Sequence, residues 1–238
     1  MKNFRSLLKI CVLSFLTAGC CSGAITTSNF DNVQNQKRVD AIQKRRFDIE
    51  NLKQSTVALV QVSNDVSLPY CSGVWIGKET ILTAAHCVEN KLIITYSTVD
   101  EYDQQKMRKA IVTNVDSSID LALILAPTKD LQHPIVSLST DSISGGDPVN
   151  IVGHPLGYTW TYMYGFVSSI RELKGPNDDA KLKKVIQISA PVWMGVSGGG
   201  AYDENGNLLG ICSWVSNGPH LSFFIHRDVI NEFLKKNL

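Results

Sequence analysis

A series of short apolar segments, beginning after Leu52, constrains the fold of this sequence more than any other feature. Each segment is rich in aliphatic or β-branched residues, and Gly, Pro, Asn and Asp separate one segment from the next. The segments lie at residues 57–62, 81–82, 92–96, 121–125, 149–152, 165–170, 185–188 and 208–211. Many short strands joined by polar turns predict a β-sandwich or a β-barrel.

The two ends of the chain have different patterns. Residues 22–36 are rich in Ser, Thr, Asn and Gln, which predicts a linker, and residues 33–52 predict an amphipathic helix. We therefore assign residues 21–52 to a linker and helix, and residues 53–238 to one folded domain. A terminal helix is predicted at residues 228–238. The apolar positions of the two helices are Val39, Ile42, Phe47 and Ile49, and Val229, Ile230, Phe233 and Leu234.

The first twenty residues predict a signal peptide. Lys2, Arg5 and Lys9 precede an apolar run at residues 10–16, and small residues follow the run. The run is too short to span a bilayer, which needs about 20 residues. We therefore expect export to the bacterial periplasm, the cell envelope or the medium.

Residues 17–20, Thr-Ala-Gly-Cys, resemble the bacterial lipobox, although Thr17 stands where Leu is usual. That resemblance implies lipidation of Cys20 and a membrane tether at the N-terminus. Simple cleavage after Gly23 or Ala24 is the alternative.

The charge balance gives no indication of a nucleic-acid partner. Lys and Arg number 23 against 22 Asp and Glu, so no global field attracts the protein to nucleic acid. A hydrophobic content of 44% is sufficient for an ordinary core.

Three segments in the order His, Asp, Ser indicate nucleophilic catalysis, and this order distinguishes unrelated folds that share the same triad. They are Thr-Ala-Ala-His-Cys at 83–87, Asp-Leu-Ala-Leu-Ile at 120–124 and Gly-Val-Ser-Gly-Gly-Gly at 195–200. Together they resemble the chymotrypsin-like (trypsin-like) serine protease superfamily. The resemblance implies an all-β fold of two six-stranded Greek-key barrels, with the helices at either end.

The resemblance also implies a role for each residue of the site. His86 is the general base, Asp120 orients it, and Ser197 is the nucleophile. The amides of Gly195 and Ser197 form the oxyanion hole. This mechanism needs no cofactor, and no metal-ligand spacing links the other histidines. Asp116 and Asp103 compete with Asp120 by charge alone, but neither opens a strongly apolar strand.

The superfamily's disulfide corresponds to Cys71 and Cys87, which export would place in an oxidising compartment. Closing that loop would contribute on the order of 3 kcal/mol. Cys212 lies in an apolar segment without an obvious mate, so we expect a buried thiol. Cys21 has no assigned role.

Within the superfamily, the chain is most similar to the HtrA (Deg) protease domain over roughly residues 55–235. Residues 149–157, 165–168 and 222–226 resemble its Gly-Asn-Pro-x-Gly, Gly-x-Val-Ser and Gly-Phe-Ala-Ile-Pro segments. Val196 departs from the polar residue usual before the nucleophile, and His226 replaces a Pro. HtrA proteins normally continue into a PDZ domain, for which no sequence follows here, so assembly regulated through PDZ contacts is not expected.

The resemblance assigns substrate binding to Ser213, Trp214 and Val215, a strand edge to which an extended polypeptide would add. Val192 and Met194 would line the S1 pocket, with Phe223 and Ile225 nearby. Because no charged residue lies in this wall, we expect a small or medium apolar P1 residue.

The sequence therefore predicts a serine endopeptidase acting on polypeptides. A catalytically silent, protease-like binding module at the cell surface is the alternative, suggested by Val196 and by the bulky pair Trp193 and Met194. An esterase on an α/β-hydrolase fold is disfavoured, because the order of Ser and His is reversed there. The sequence leaves the oligomeric state open.

Overall fold

Twelve strands form two closed antiparallel barrels in the computed structural model, which describes residues 25–63, 66–102, 106–128, 131–175, 181–216 and 221–238. The predicted signal peptide, Cys20, Cys21 and Asp103 lie outside the described residues. The predicted two-barrel, all-β fold is confirmed.

The first barrel closes in the order β1-β2-β3-β6-β5-β4. Its strands are β1 (Thr56–Ser63), β2 (Val66–Gly77), β3 (Thr80–Thr83), β4 (Ile93–Ser97), β5 (Arg108–Asp116) and β6 (Leu121–Leu125). Two short helices, α2 (Ala85–Val88) and α3 (Val99–Tyr102), follow β3 and β4.

The second barrel closes in the order β10-β11-β12-β9-β8-β7. Its strands are β7 (Pro148–Gly153), β8 (Thr161–Leu173), β9 (Lys183–Ser189), β10 (Gly200–Tyr202), β11 (Leu208–Val215) and β12 (Ser222–His226). A single 3₁₀ turn, Pro155–Gly157, follows β7.

A core of buried apolar side chains fills each barrel. Fully buried side chains in the first barrel include Trp75, Tyr96 and Ile124, and in the second Ile151, Ile186 and Phe224. Closure pairs the edge strands with each other, so every segment predicted to be a strand lies within a barrel wall.

The helix before the barrels is longer than predicted. α1 runs from Ile25 to Gln54, so the segment predicted as a linker is helical from Ile25 onward. No Gly or Pro interrupts this stretch, and nothing else in it ends a helix. Of the predicted apolar positions, Val39 and Ile42 are 45% and 48% exposed and Ile49 is half-buried, while the side chain of Phe47 is not among those described.

The chain divides into two compact units within α1, after Lys44, and both barrels belong to the second unit, Arg45–Leu238. The C-terminal helix α4, Arg227–Asn237, confirms the predicted terminal helix and buries Ile230 and Phe233. No helix in the described residues is both long and apolar enough to cross a membrane.

Candidate active site

His86 and Asp120 meet at the edge of the first barrel. His86 lies on α2, directly after β3, and Asp120 lies directly before β6, which pairs with β3. His86 Nδ1 is 3.0 Å from both carboxylate oxygens of Asp120, and the His86 amide donates to Asp120 Oδ1 at 3.0 Å. The carboxylate thus fixes the imidazole by its ring and by its backbone.

A β-bulge brings a third group to this pair. Cys212 pairs with Phe224 and Trp214 with Phe223, so Ser213 is the extra residue of β11. A bulge redirects the side chain that it contains, and the Ser213 hydroxyl donates a short hydrogen bond to Asp120 Oδ2. Ser213 therefore acts on the carboxylate rather than only on a substrate.

Asp120 is charged despite its burial. Its residue is 5% exposed, and burial alone raises the pKa of a carboxyl group. The hydrogen bonds from His86 and Ser213, with the charge of His86, outweigh burial and place the pKa of Asp120 below its ordinary value. An ionised Asp120 can hold Nδ1 protonated and leave Nε2 free to accept a proton.

The loop that carries Ser197 presents two unpaired amides. The amides of Val196, Gly198 and Gly199 donate to the carbonyls of Trp193, Cys212 and Val196 at 2.7–3.2 Å. Within the described part of the chain, the amides of Gly195 and Ser197 donate to no protein acceptor. These are the two amides predicted to form the oxyanion hole.

The nucleophile loop adjoins the first barrel through its backbone. The Ser72 amide donates to the Ser197 carbonyl at 2.8 Å. The Ser197 hydroxyl is half-buried and makes no hydrogen bond to any described residue, so its link to His86 Nε2 is not formed in this structure.

Cys71 and Cys87 are bonded, with their Cα atoms 6.1 Å apart. The bridge ties β2 to α2, one residue after His86. Cys212 is a buried free thiol, as predicted, and burial raises its pKa.

A free strand edge borders the site. β10 pairs with β11 only up to Ile211, and contacts from Gly198 and Gly199 extend the pairing to Cys212. Beyond that point, residues 213–215 have no strand partner on this side in the described residues. An extended peptide could add here by main-chain hydrogen bonds.

The predicted S1 residues differ in their exposure. Val192 is buried, and Val215 packs against the apolar cluster to which Val192 belongs. Met194 is 67% exposed and Trp193 is 55% exposed, so neither side chain is packed into that cluster. Val196 is fully buried in the same cluster, where an apolar side chain fits.

Three residues close to the site were not predicted from the sequence. Ser72 and His154 form a buried hydrogen bond of 2.8 Å across 82 residues, a contact that no local pattern reveals. Lys183 lies with its ammonium group 5.6 Å from the centre of the Trp214 ring. Its burial lowers its pKa, which Asp120 and Asp116 partly oppose.

Comparison with known sequences agrees with this geometry. The profile of the trypsin-like peptidase domain matches residues 71–211. Protease Do-like 2 of Arabidopsis thaliana, a chloroplastic protein, is 29% identical over 168 residues, or 68% of this chain and 27% of its own length. Serine protease HtrA-like of Staphylococcus epidermidis is 33% identical over 144 residues, or 56% of this chain and 23% of its own length. The chain thus spans about a quarter of the length of these relatives.

Solved structures share the fold. The active form of the Rv3671c protease of Mycobacterium tuberculosis has a TM-score of 0.70 at 23% identity, covering 80% of this chain and 83% of its own. The HtrA-type protease AlgW, bound to a tripeptide, has a TM-score of 0.68 at 23% identity, covering 79% of this chain and 62% of its own.

Proposed function

This chain belongs to the trypsin-like peptidase family, and from that premise we propose that it is a serine endopeptidase with His86, Asp120 and Ser197 as its catalytic residues. One observation carries the proposal: a buried, ionised Asp120 holds His86 beside a loop whose Gly195 and Ser197 amides donate to no acceptor among the described residues. Acyl transfer requires both a positioned base and donors for an oxyanion.

In the proposed reaction, Ser197 Oγ attacks the carbonyl carbon of the scissile bond while His86 Nε2 accepts the hydroxyl proton. The Gly195 and Ser197 amides donate to the oxyanion of the tetrahedral intermediate. The intermediate collapses, the C–N bond breaks, and His86 gives its proton to the leaving amine. Water then attacks the acyl-enzyme by the same route and releases the acid.

Activity-based labelling tests this proposal. A fluorophosphonate probe should label the wild-type protein on Ser197, and Ser197→Ala should abolish both labelling and cleavage of an unfolded polypeptide. Turnover in Ser197→Ala or His86→Ala should fall by roughly 10⁴ to 10⁶. Unchanged hydrolysis in Ser197→Ala would refute the assignment.

We propose a preference for small or medium apolar P1 residues, supported by the packing of Val192 and Val215 in one apolar cluster at the free strand edge. No charged residue lies among Val192, Trp193 and Met194 to pair with a charged P1 side chain. A peptide library should show cleavage after Ala or Val, and Val215→Gly should raise the relative kcat/KM for Phe. Strict cleavage after Arg would contradict the preference.

We also propose that the protein is exported, and the disulfide between Cys71 and Cys87 supports an oxidising compartment. Lipidation of Cys20 remains one of two processing routes. Intact-mass analysis distinguishes them, because a lipidated Cys20 and an N-terminus near Ala24 differ in both residues and acyl mass. Cys20→Ser should abolish any acyl mass.

A catalytically silent binding module is the second candidate, because the Ser197 hydroxyl makes no hydrogen bond to His86 in this structure. Catalytic hydrogen bonds often tighten only when substrate binds, so labelling decides between the two. A protein that binds peptides but neither reacts with fluorophosphonate nor hydrolyses them would be the binding module.

A further inference from the structure

Behind the unpaired amides lies a buried polar network that the proposed reaction does not use. The Ser72 hydroxyl is 2.9 Å from the Gly195 carbonyl oxygen and 2.8 Å from His154 Nδ1. Ser72 and His154 both have 0% exposure. We propose, building on the proposed function, that Ser72 and His154 are positioning residues that hold the oxyanion hole open.

The donor and the acceptor of each hydrogen bond in this network can be assigned. The Gly195 carbonyl can only accept, so the single proton of the Ser72 hydroxyl lies on that bond. The Ser72 oxygen then accepts from His154 Nδ1–H. His154 is therefore the Nδ1–H tautomer, and its Nε2 has no partner among the described residues.

His154 stays neutral, and so keeps this tautomer, across neutral and mildly acidic pH. Burial lowers the pKa of His154 to about 3, since an imidazolium there would have no counter-charge. The ring is also held by an edge contact with Trp160, with centroids 4.8 Å apart. The donor at Nδ1 thus persists at neutral and mildly acidic pH.

The network and the neighbouring Leu156 amide together fix the orientation of two successive peptides. Ser72 holds the Gly195 carbonyl, while the Val196 amide of the same peptide donates to Trp193. The preceding carbonyl, that of Met194, accepts from the Leu156 amide at 2.7 Å. In a trans peptide the N–H points away from the C=O, so holding the Met194 carbonyl turns the Gly195 N–H toward the opposite side.

The 3₁₀ turn Pro155–Gly157, which supplies the Leu156 amide, is itself strained and packs closely against Gly195. Leu156 has φ of +53°, which is unfavourable for a side chain with a Cβ atom, and in that conformation its amide donates to the Met194 carbonyl. A Cβ added to Gly195 would lie 2.2 Å from the His154 carbonyl oxygen. Ser72 also donates its amide to the Ser197 carbonyl, so one residue holds both ends of segment 195–197.

Steady-state kinetics on a peptide with an Ala P1 residue test this role. Ser72→Ala and His154→Leu should each lower kcat by about 10 to 10³-fold, the range for damage to one oxyanion donor, with KM changed less than about threefold. The affinity of a matching peptide boronate, which mimics the tetrahedral intermediate, should fall in parallel with kcat. His154→Asn retains an N–H donor and should recover most of kcat.

Ser139→Ala is the matched control, because Ser139 is a buried serine (4% exposed) whose hydroxyl has no partner in the described residues. Its kcat should stay within about twofold of wild type. All variants are assayed at temperatures well below their own melting temperatures, which removes unfolding as a cause. The inference is overturned if folded Ser72→Ala and His154→Leu keep wild-type kcat and boronate affinity, or if only their KM changes.

The failure of the proposed function would be recognised separately, as a wild-type protein that resists both fluorophosphonate and the peptide. In that case a crystal structure of Ser72→Ala decides the inference. The Gly195 carbonyl or amide should be rotated from its wild-type direction; an unchanged segment 195–197 would refute it.

Discussion

At the scale of single residues, Asp120 illustrates how the site uses an unusual backbone conformation. Its φ is +61°, in the left-handed region that Asp tolerates better than most residues. From that position its two oxygens receive His86 Nδ1–H, the His86 amide and the Ser213 hydroxyl. An Asn side chain in its place would replace one acceptor oxygen by an NH₂ donor and favour the wrong imidazole tautomer.

We therefore expect Asp120→Asn to lower kcat by roughly 10⁴ while leaving the fold intact. Asp116→Asn is the control, because Asp116 accepts from the Ser118 amide and hydroxyl in a turn and does not contact His86. It should keep kcat within about threefold of wild type. Kinetics with a peptide substrate measure both; equal losses in the two variants would contradict the role given to Asp120.

Gly198 shows that a loop glycine can be required by space as well as by conformation. Its φ is +82°, and an added Cβ would lie 2.1 Å from the Ser72 carbonyl oxygen and 2.2 Å from Thr83 Oγ1. Gly146 has φ of +95° but nothing within 4 Å of an added Cβ. The pair separates backbone strain from steric overlap.

Gly146→Ala should cost about 1 kcal/mol of unfolding free energy, the conformational penalty alone. Gly198→Ala should cost more than about 4 kcal/mol or prevent folding, because two buried oxygens must also move. Urea unfolding measures both. Similar costs in the two variants would show that the nucleophile loop can relax around the new methyl group.

At the scale of secondary structure, the eight apolar segments correspond to eight of the twelve strands, and β2, β5, β10 and β12 have no segment among them. β10 has three residues, too few for a periodic pattern. β5 does alternate between buried and exposed positions, but Arg108 and Lys109 at its start obscure the pattern. At the site, local motifs identified His86 and the nucleophile loop, whereas the contact between Ser72 and His154 depends on how the two barrels pack.

The Cys71–Cys87 bridge stabilises the fold by tying β2 to α2, the short helix that carries His86. It closes a loop with a sequence separation of 16, which corresponds to about 3 kcal/mol in the chain-entropy model. A Cys71→Ala, Cys87→Ala double variant should lose about that much unfolding free energy, and dithiothreitol should lower the melting temperature of wild type but not of the variant. A melting temperature insensitive to reductant in wild type would contradict this.

At the scale of the whole molecule, folding keeps two buried histidines neutral. His154 lies where the barrels meet, and His226 ends β12 and accepts from the Asp228 amide through Nδ1 at the start of α4. Burial lowers the pKa of His154 to about 3. Burial, with the nearby Lys184 and Arg227 opposed by Asp228, lowers the pKa of His226 to about 4.

These shifts determine how stability depends on pH. Well above pH 6.5, the ordinary pKa of histidine, both side chains are neutral in the folded and unfolded chains and contribute no pH dependence. Below that pH the unfolded chain binds protons that the folded chain excludes, so the folded state loses stability, and the loss continues down to the folded pKa values. Asp120 contributes no loss above about pH 5, because an Asp carboxyl with an ordinary pKa of 3.8 is charged there in both the folded and the unfolded chain.

We expect the free energy of unfolding, measured in urea, to fall between about pH 7 and pH 4.5 by roughly 3 to 5 kcal/mol, at about 1.4 kcal/mol per pH unit for each histidine. His154→Asn and His226→Asn remove one titrating group each, and in His226→Asn the new amide oxygen can still accept from the Asp228 amide as an N-cap. At neutral pH each variant should therefore be as stable as wild type or less stable. Its unfolding free energy should change with pH at about half the wild-type slope. A wild-type unfolding free energy that does not change with pH would show that the histidines are solvated. If His154→Asn keeps the wild-type slope of unfolding free energy against pH, other groups cause the pH dependence, and the His154 imidazole can accept a proton in the folded state.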